Sequence, residues 1–488
     1  MAVVRSSAEI PRRIPMRGQR SVRSMVMSGE RATLALVRDP LRMILFVLTI
    51  VTISRVHLHY PILAKLRPVL VLTAGALGYA YLNPRYLTNA NVLKLWPMRL
   101  VALLGVLACG SAAFGISLGN SALFILDSFF KTLMYAFLIA IAVRHARDLY
   151  TFVWAFAISC GILVLFSVFV FDLSAAGQTT RLAEMYTYDS NDLGVILMIG
   201  LPLTLLLVAV DHGVKRLILL VTVVGIAIAM ARSGSRGGFL GLIAVSLAAL
   251  FLVNGVSASR RFSLLAAALL ALGVGAPAGY WKQMSTILSP KEDYNYSSID
   301  GRTALMERGI GYMVKYPIFG IGVWNFAKAE CTISPKMESR PVNEPVRCIA
   351  PHNSYVQAGA ETGFPGLIVF SSLILGAVVA PIRLRRRLPQ YWRKGTPTQR
   401  FLYNATSFFP IAMIGFAVTA FFVSFAFFDP LYLLSAFVTG LYIAVNAQLK
   451  AEGRPEIGAV SASSVGSRLH GWRVKRSAAG SFARSAAR

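Results

Sequence analysis

An all-α polytopic membrane protein with about twelve spanning helices is the fold the sequence predicts, and three observations predict it. Of 488 residues, 56% are hydrophobic and only 14% charged, whereas a soluble chain carries about a quarter charged residues. Apolar runs recur along the chain, with a mean hydropathy of +0.61, and crossing a bilayer takes about 20 such residues in a row. Lys and Arg concentrate in the two tails and in alternate loops between the runs, the asymmetry that orients membrane proteins. Lipid offers backbone groups no hydrogen-bond partners, so each run must satisfy its own, which makes it a helix.

The spans fall near 41–58, 66–82, 98–117, 121–143, 149–171, 193–211, 216–231, 237–253, 262–280, 364–381, 407–428 and 431–449. Residues 1–40 and 450–488 read as basic, disordered cytoplasmic tails, 41–280 as spans one to nine, 281–362 as one large periplasmic loop containing short helices, and 363–449 as spans ten to twelve. The first forty residues lack an apolar core followed by a small-residue cleavage site, so no cleavable signal peptide is expected. With the N-terminus inside, "NPRYLTNANVLKLWPMR", "RHARD", "DHGVKR", "SRR" and "RLRRRLPQYWRKG" all lie inside and are basic, while "GISLGN" and "FFDP" lie outside without Lys or Arg. An even number of spans, with both basic tails cytoplasmic, follows. The net charge of +28 sorts with this topology, so it argues for membrane orientation and against nucleic-acid binding.

Two outer segments break the sorting. One is the first outer loop, with Arg55, His57, His59, Lys65 and Arg67; the other is "ARSGSRGGFLGL", with Arg232 and Arg236. Arginines at a membrane boundary can simply snorkel, and Gly and Ser can simply let helices pack. The sharper reading is an anion site. Small residues let a ligand approach the backbone, a helix starting at Gly237 or Gly238 points free N–H groups at the same spot, and the guanidinium fork grips phosphate oxygens in pairs.

The 281–362 loop is long enough to be functional in its own right. In "GRTALMERGIGYMVKY", Leu305, Met306, Ile310 and Met313 have helical spacing, which predicts an amphipathic helix with Asp300 as its N-cap. Arg302 at its start is either a solvated loop residue or a second phosphate contact. In "PHNSYVQAGAETG", His352 precedes a helix start that Asn353 would cap. A lone histidine is commonly structural, yet its pKa near neutrality also suits proton transfer. Glu361, nine residues on, falls about half a turn away and does not share its face, so it reads as a structural residue or a support behind the site. In "YTYDSNDLGVIL", Asp189 and Asp192 suit a helix N-terminus, or one of them meets an acceptor hydroxyl. Asp127 and Lys131, four apart in span four, read as a buried structural pair. Cys109 and Cys160 read as packing residues. Cys331 and Cys348 share the large loop and are either a structural disulfide or two thiols. No Cys/His cluster has zinc-like spacing, and there is no P-loop or GxGxxG.

In this order "YDSNDLG", "SRGGFLGL", "GR…YPIFGIGVWNF" and "PHNSYVQ…ETGFPGL" resemble the O-antigen ligase and Wzy-type polymerase superfamily of bacterial membrane glycosyltransferases, over roughly residues 180 to 430. The resemblance implies a GT-C-like, metal-independent transferase in the inner membrane, without cofactor. Its donor would be a glycan on undecaprenyl pyrophosphate, and its acceptor a saccharide, lipid A core or a protein. It implies Arg236, in an R-x-x-x-L pattern with Leu240, together with Arg302 as pyrophosphate contacts, and His352 as the loop histidine; the anion-site reading of the motif adds Arg232 as a helper. His352 would orient the acceptor hydroxyl, take its proton or touch the phosphate; beyond the resemblance, Asp189, Asp192, Asn353 and Glu361 stand as candidate substrate-binding residues from their places in these motifs. Attack opposite the leaving group would invert the anomeric carbon. Ligase and polymerase share these motifs. A lipid-linked glycan flippase or small-solute transporter is the alternative of a different class, although internal repeats and midplane polar residues, the marks of transporters, are missing from the sequence.

Overall fold

The computed structural model describes residues 34, 36–86, 92–176, 179–182, 184–186, 188–253, 259, 263, 266, 270, 272–289, 301–337 and 347–457. Its main helices are α1 (Pro40–Ser54), α2 (Pro68–Leu82), α3 (Trp96–Phe114), α4 (Leu118–Ala142), α5 (Ala146–Phe169), α6 (Ser190–Val208), α7 (Gly213–Ser233) and α8 (Arg236–Leu252). Then come α9 (Tyr280–Ser285), α10 (Arg302–Lys315), α11 (Phe326–Thr332), α12 (Ser354–Arg385), α13 (Pro397–Thr419) and α14 (Asp429–Ala451). Among the described residues eight helices are long and apolar enough to cross a membrane. Helices α1, α2 and α8 are apolar but shorter, at 15 to 17 residues, or about 22–26 Å at 1.5 Å per residue. Seven of the nineteen residues of the expected span 262–280 lie outside the described residues. The chain is a multi-pass, mostly helical membrane protein.

Local chemistry fixes the helix starts. Proline occupies the first turn of α1, α2, α3, α13 and α14, where its missing N–H costs nothing. Side-chain oxygens of Asp189, Ser235, Asn353 and Thr396 accept the free N–H groups of α6, α8, α12 and α13, as N-caps do. Gly363, at φ 72° and ψ −176°, kinks α12, which therefore begins ten residues before the expected span at 364. One segment departs from an all-α fold. Two short antiparallel strand pairs lie between α5 and α6, β1 (Leu173–Ala176) with β2 (Thr179–Leu182) and β3 (Glu184–Met185) with β4 (Tyr188–Asp189).

Helix α13 packs against α6, α8 and α12, and α1 against α5 and α2. α14 is the most enclosed span, 83% buried, whereas α7 is 33% buried and peripheral. The glycines of "SRGGFLGL" serve this packing. A Cβ on Gly237 would lie 2.6 Å from the Phe422 ring, one on Gly238 2.3 Å from Met230, and one on Gly241 2.5 Å from Thr419. They admit neighbouring helices rather than a ligand, which corrects the expectation from sequence. The Asp127–Lys131 pair is also corrected. It spans 3.4 Å beside a π-helical turn over Ile125–Phe129, but the Asp127 side chain is 76% exposed, so the pair is superficial.

The large loop carries a core of its own, built from Leu305, Tyr312, Ile321, Phe326, Val356 and Ala360. Helix α10 forms as expected but turns a different stripe inward. Leu305, Gly309, Tyr312 and Met313 are buried, while Met306 and Ile310 are exposed. Gly309 decides this, because a Cβ there would lie 2.2 Å from Val356 on α12; hydropathy does not register a glycine chosen for close approach. Gly301 occupies the N-cap without a side-chain bond, and Asp300, the expected cap, lies outside the described residues. Glu330, fully buried, accepts from Arg308 Nε at 3.0 Å and Tyr312 OH at 2.9 Å and pairs with Lys336 Nζ at 3.2 Å. Cys331 and Cys348 form a disulfide across 17 residues of sequence. Replacing both cysteines with serine is expected to lower stability by about 3 kcal/mol, through chain entropy returned to the unfolded state. The lowered thermal midpoint of the variant, and of reduced wild type, checks this.

Candidate functional site

Four segments far apart in sequence meet at one end of the bundle. Helix α6 begins with a reciprocal cap: Asp189 Oδ1 accepts from Asn191 N and Asp192 N, both at 2.7 Å, and Asp192 Oδ2 accepts from Asp189 N at 3.4 Å. Asn191 Oδ1 accepts from Ser235 Oγ at 2.8 Å, which ties this turn to the α7–α8 turn that carries Arg236. Gly234 there adopts φ 59°, a conformation that favours glycine. Arg302 opens α10. His352 sits one residue before the α12 cap at φ 48°, a left-handed conformation that costs a non-glycine residue energy and is concentrated at functional sites. Its N–H donates to Ser424 Oγ at 3.0 Å.

His352, Arg302 and Asp189 form one electrostatic neighbourhood. Burial pushes the His352 pKa below its ordinary value of 6.5, the Arg302 charge pushes it the same way, and Asp189 opposes both. The imidazole is therefore neutral at neutral pH and able to accept a proton. Arg236 donates from Nη1 to Thr286 Oγ1 at 2.9 Å. Arg236, Arg302 and His352 are all half-buried.

Other expected site residues have structural work. Arg232 turns away and donates to the carbonyls of Ser167 at 2.8 Å and Phe171 at 3.1 Å, satisfying the C-terminal end of α5. Asn353 Oδ1 accepts from Tyr355 N at 3.0 Å and Val356 N at 3.1 Å, as the cap of α12. Glu361 is buried, and its carboxylate accepts from Trp324 N at 2.8 Å and Phe326 N at 3.2 Å. The N–H groups at the start of α8 are partly used as well, since Gly238 N donates to Ser235 Oγ at 3.1 Å.

The structure adds residues the motifs did not single out. Arg55, at φ 50°, lies with its guanidinium 4.3 Å from the Tyr188 ring centroid and 5.7 Å from that of Phe428. It is within electrostatic reach of Asp192 and Asp429, and Asp429 accepts from Thr132 Oγ1 at 2.6 Å. The sequence signal was present: Arg55 breaks the positive-inside pattern, but its position beside α6 is set only by tertiary packing. Arg181, on β2, lies against the α7–α8 turn; a Cβ on Gly234 would be 3.1 Å from Arg181 Cβ and 3.2 Å from Gln283 Oε1. Arg181 Nε and Gln283 Oε1 are buried without a hydrogen-bond partner among the described residues. Orphaned polar atoms of this kind are rare, and here they flank the turn that carries Arg236.

Residues 218–371, about a third of the chain, match the family model described as O-antigen ligase. The matched segment runs from α7 into α12 and includes Arg232, Arg236, Arg302, His352, Asn353 and Glu361, but not Arg55, Asp189 or Asp192. No curated protein matches the chain. The match supports the resemblance to the O-antigen ligase and Wzy-type superfamily, and with it a membrane-embedded glycan ligase or polymerase.

Proposed function

We propose that this chain, similar to O-antigen ligases from α7 to α12, transfers a glycan from undecaprenyl pyrophosphate to an acceptor hydroxyl at the periplasmic face of the bacterial inner membrane. The observation that carries the reading is the meeting of Arg302, Asp189 and His352, joined through Asn191 and Ser235 to the turn bearing Arg236. Cleaving a sugar–pyrophosphate bond develops negative charge on the leaving diphosphate. Fixed guanidinium groups in a partly water-shielded site stabilise that charge more than solvent can, so Arg236 and Arg302 hold the diphosphate without a metal ion. Arg55 and Arg181 add positive charge from the neighbouring segments. Arg232, committed to α5, contributes through the geometry of its turn. His352 is the group that faces the acceptor hydroxyl, by orienting it or taking its proton, and attack opposite the diphosphate inverts the anomeric carbon on a GT-C-like scaffold.

The basic loops support cytoplasmic termini by the positive-inside rule, and the Cys331–Cys348 disulfide supports an oxidising compartment for the large loop. The test is incubation of purified protein with a defined lipid-pyrophosphate oligosaccharide and candidate saccharide, lipid A core or protein acceptors in EDTA. Transfer is the expected result; movement of the lipid-linked glycan across proteoliposomes without transfer would overturn it. Deletion strains separate the two transferases, since loss of a ligase accumulates long lipid-linked polymer and loss of a polymerase accumulates single repeats.

The histidine role carries its own prediction. If His352 takes the proton, activity is lost as pH falls through its pKa, which lies below 6.5. Asp189→Asn keeps a capping oxygen for α6 but removes the negative charge that holds this pKa up. The acid limb of the pH–rate profile is expected to move to lower pH in that variant, and an unmoved limb would remove His352 from proton transfer.

A further inference from the structure

The opposite end of α1 carries a second cluster of arginines, about 22 Å from Arg55 for a 15-residue helix at 1.5 Å per residue. A cavity of about 550 Å³ opens there, lined by Arg38, Arg42, Arg144, Arg147, Asp148 and Leu36 among others. Its walls are fixed. Val37 N donates to Thr151 Oγ1 at 3.1 Å, which straps the segment before α1 onto α5. Asp148 is already saturated: it pairs with Arg42 Nε at 2.8 Å and accepts from Arg144 N at 2.8 Å and His145 N at 2.9 Å. Asp39, the other acid nearby, lies 3.4 Å from Arg42 and accepts from Tyr86 OH.

The guanidinium groups of Arg38, Arg144 and Arg147 are thus left without a carboxylate within ion-pair distance among the described residues. Arg144 Nε is buried with no hydrogen-bond partner. Arg42, Arg85 and Arg144 also lie 6.0, 5.0 and 5.1 Å from the centroid of the buried Tyr86 ring, so like charges are gathered around one aromatic ring rather than spread over the surface. Crowded cations with an orphaned donor are arranged for an anion. The apolar surroundings say which anion. Leu36 in the wall is exposed, and so are Met43 and Val47, which lie four apart on one face of α1 and begin one residue after the cavity-lining Arg42.

We propose that this cavity binds the phosphate headgroup of an anionic phospholipid, with an acyl chain lying along Met43 and Val47. The site is at the end of the bundle away from Arg236 and His352, and it does not depend on the transfer reading. Basic pockets between spanning helices take acidic headgroups in this way, each cation near the surface adding attraction.

Full-length protein in detergent, titrated with phosphatidylglycerol, phosphatidylcholine or inorganic phosphate, tests this, with bound lipid counted by native mass spectrometry. Phosphatidylglycerol is expected to bind at least about tenfold more tightly than phosphatidylcholine. Arg38→Gln/Arg147→Gln, at exposed positions outside the bundle's core, is expected to weaken it about tenfold or more, and Arg144→Gln alone by several-fold, with glycan transfer unchanged in both. Equal retention of the two lipids, or a preference that survives both variants, would overturn the proposal. So would displacement of phosphatidylglycerol by inorganic phosphate at equal concentration, which would make this a soluble-anion site.

Discussion

Arg236→Ala and Arg302→Ala are each expected to lower transfer by about a hundredfold or more, the usual effect of removing one donor to a developing negative charge, while the protein reaches the membrane in normal amount. Both side chains are half-buried and lie at helix starts, Arg236 after the Ser235 cap and Arg302 after Gly301, so shortening either opens no cavity in the core. Lysine should rescue only in part, because it keeps the charge but loses the planar fork that meets two oxygens at once. Single-turnover rates with a lipid-pyrophosphate donor, read beside expression levels, check this. Full activity in both alanine variants would remove the charge clamp from the mechanism.

Glu361→Ala is expected to destabilise the large loop by about 2–6 kcal/mol, because two backbone N–H groups, one buried and one part-buried, lose their acceptor at about 1–3 kcal/mol each. Those groups belong to Trp324 and Phe326. Around them the chain is tightly constrained: Trp324 adopts φ 62°, and Gly320 and Gly322 adopt φ 69° and 100°. A Cβ on Gly320 would lie 2.5 Å from the Ala360 carbonyl. The carboxylate therefore holds the turn that joins α10 to α11 onto α12, and α12 begins beside His352. Activity should fall together with the thermal midpoint and with resistance of the loop to proteolysis. Glu361→Gln, which retains one acceptor oxygen, should restore part of each. A direct role of Glu361 in binding the acceptor would instead raise KM with the midpoint unchanged.

Much of the architecture was legible because lipid imposes a simple code. Eleven of the twelve expected spans coincide with a described helix, eight of them of spanning length, since a long apolar run has one stable backbone solution in a bilayer. The caps at Asp189 and Asn353 were legible for a similar reason, as short polar side chains at helix starts have a local purpose. What sequence could not give was the meaning of small residues and of charges whose partners are distant. Gly237, Gly238 and Gly309 look like room for a ligand or a gap in an apolar stripe, and prove to be contact points for Phe422, Met230 and Val356. Arg232 and Arg236 are four apart in one motif, yet one closes α5 and the other faces Thr286. Arg181 and Arg55 reach the same region from segments that carry no motif, and the strands that bring Arg181 there are too short to leave an alternating pattern.

The central claim is that guanidinium groups at this end of the bundle grip a diphosphate. Its most direct measurement is the affinity of purified protein, in EDTA, for an undecaprenyl-pyrophosphate oligosaccharide and for the corresponding monophosphate. The diphosphate is expected to bind much more tightly to wild type, with the preference lost in Arg236→Ala and in Arg302→Ala. Equal affinity for the two lipids, or a preference untouched by both substitutions, would contradict it.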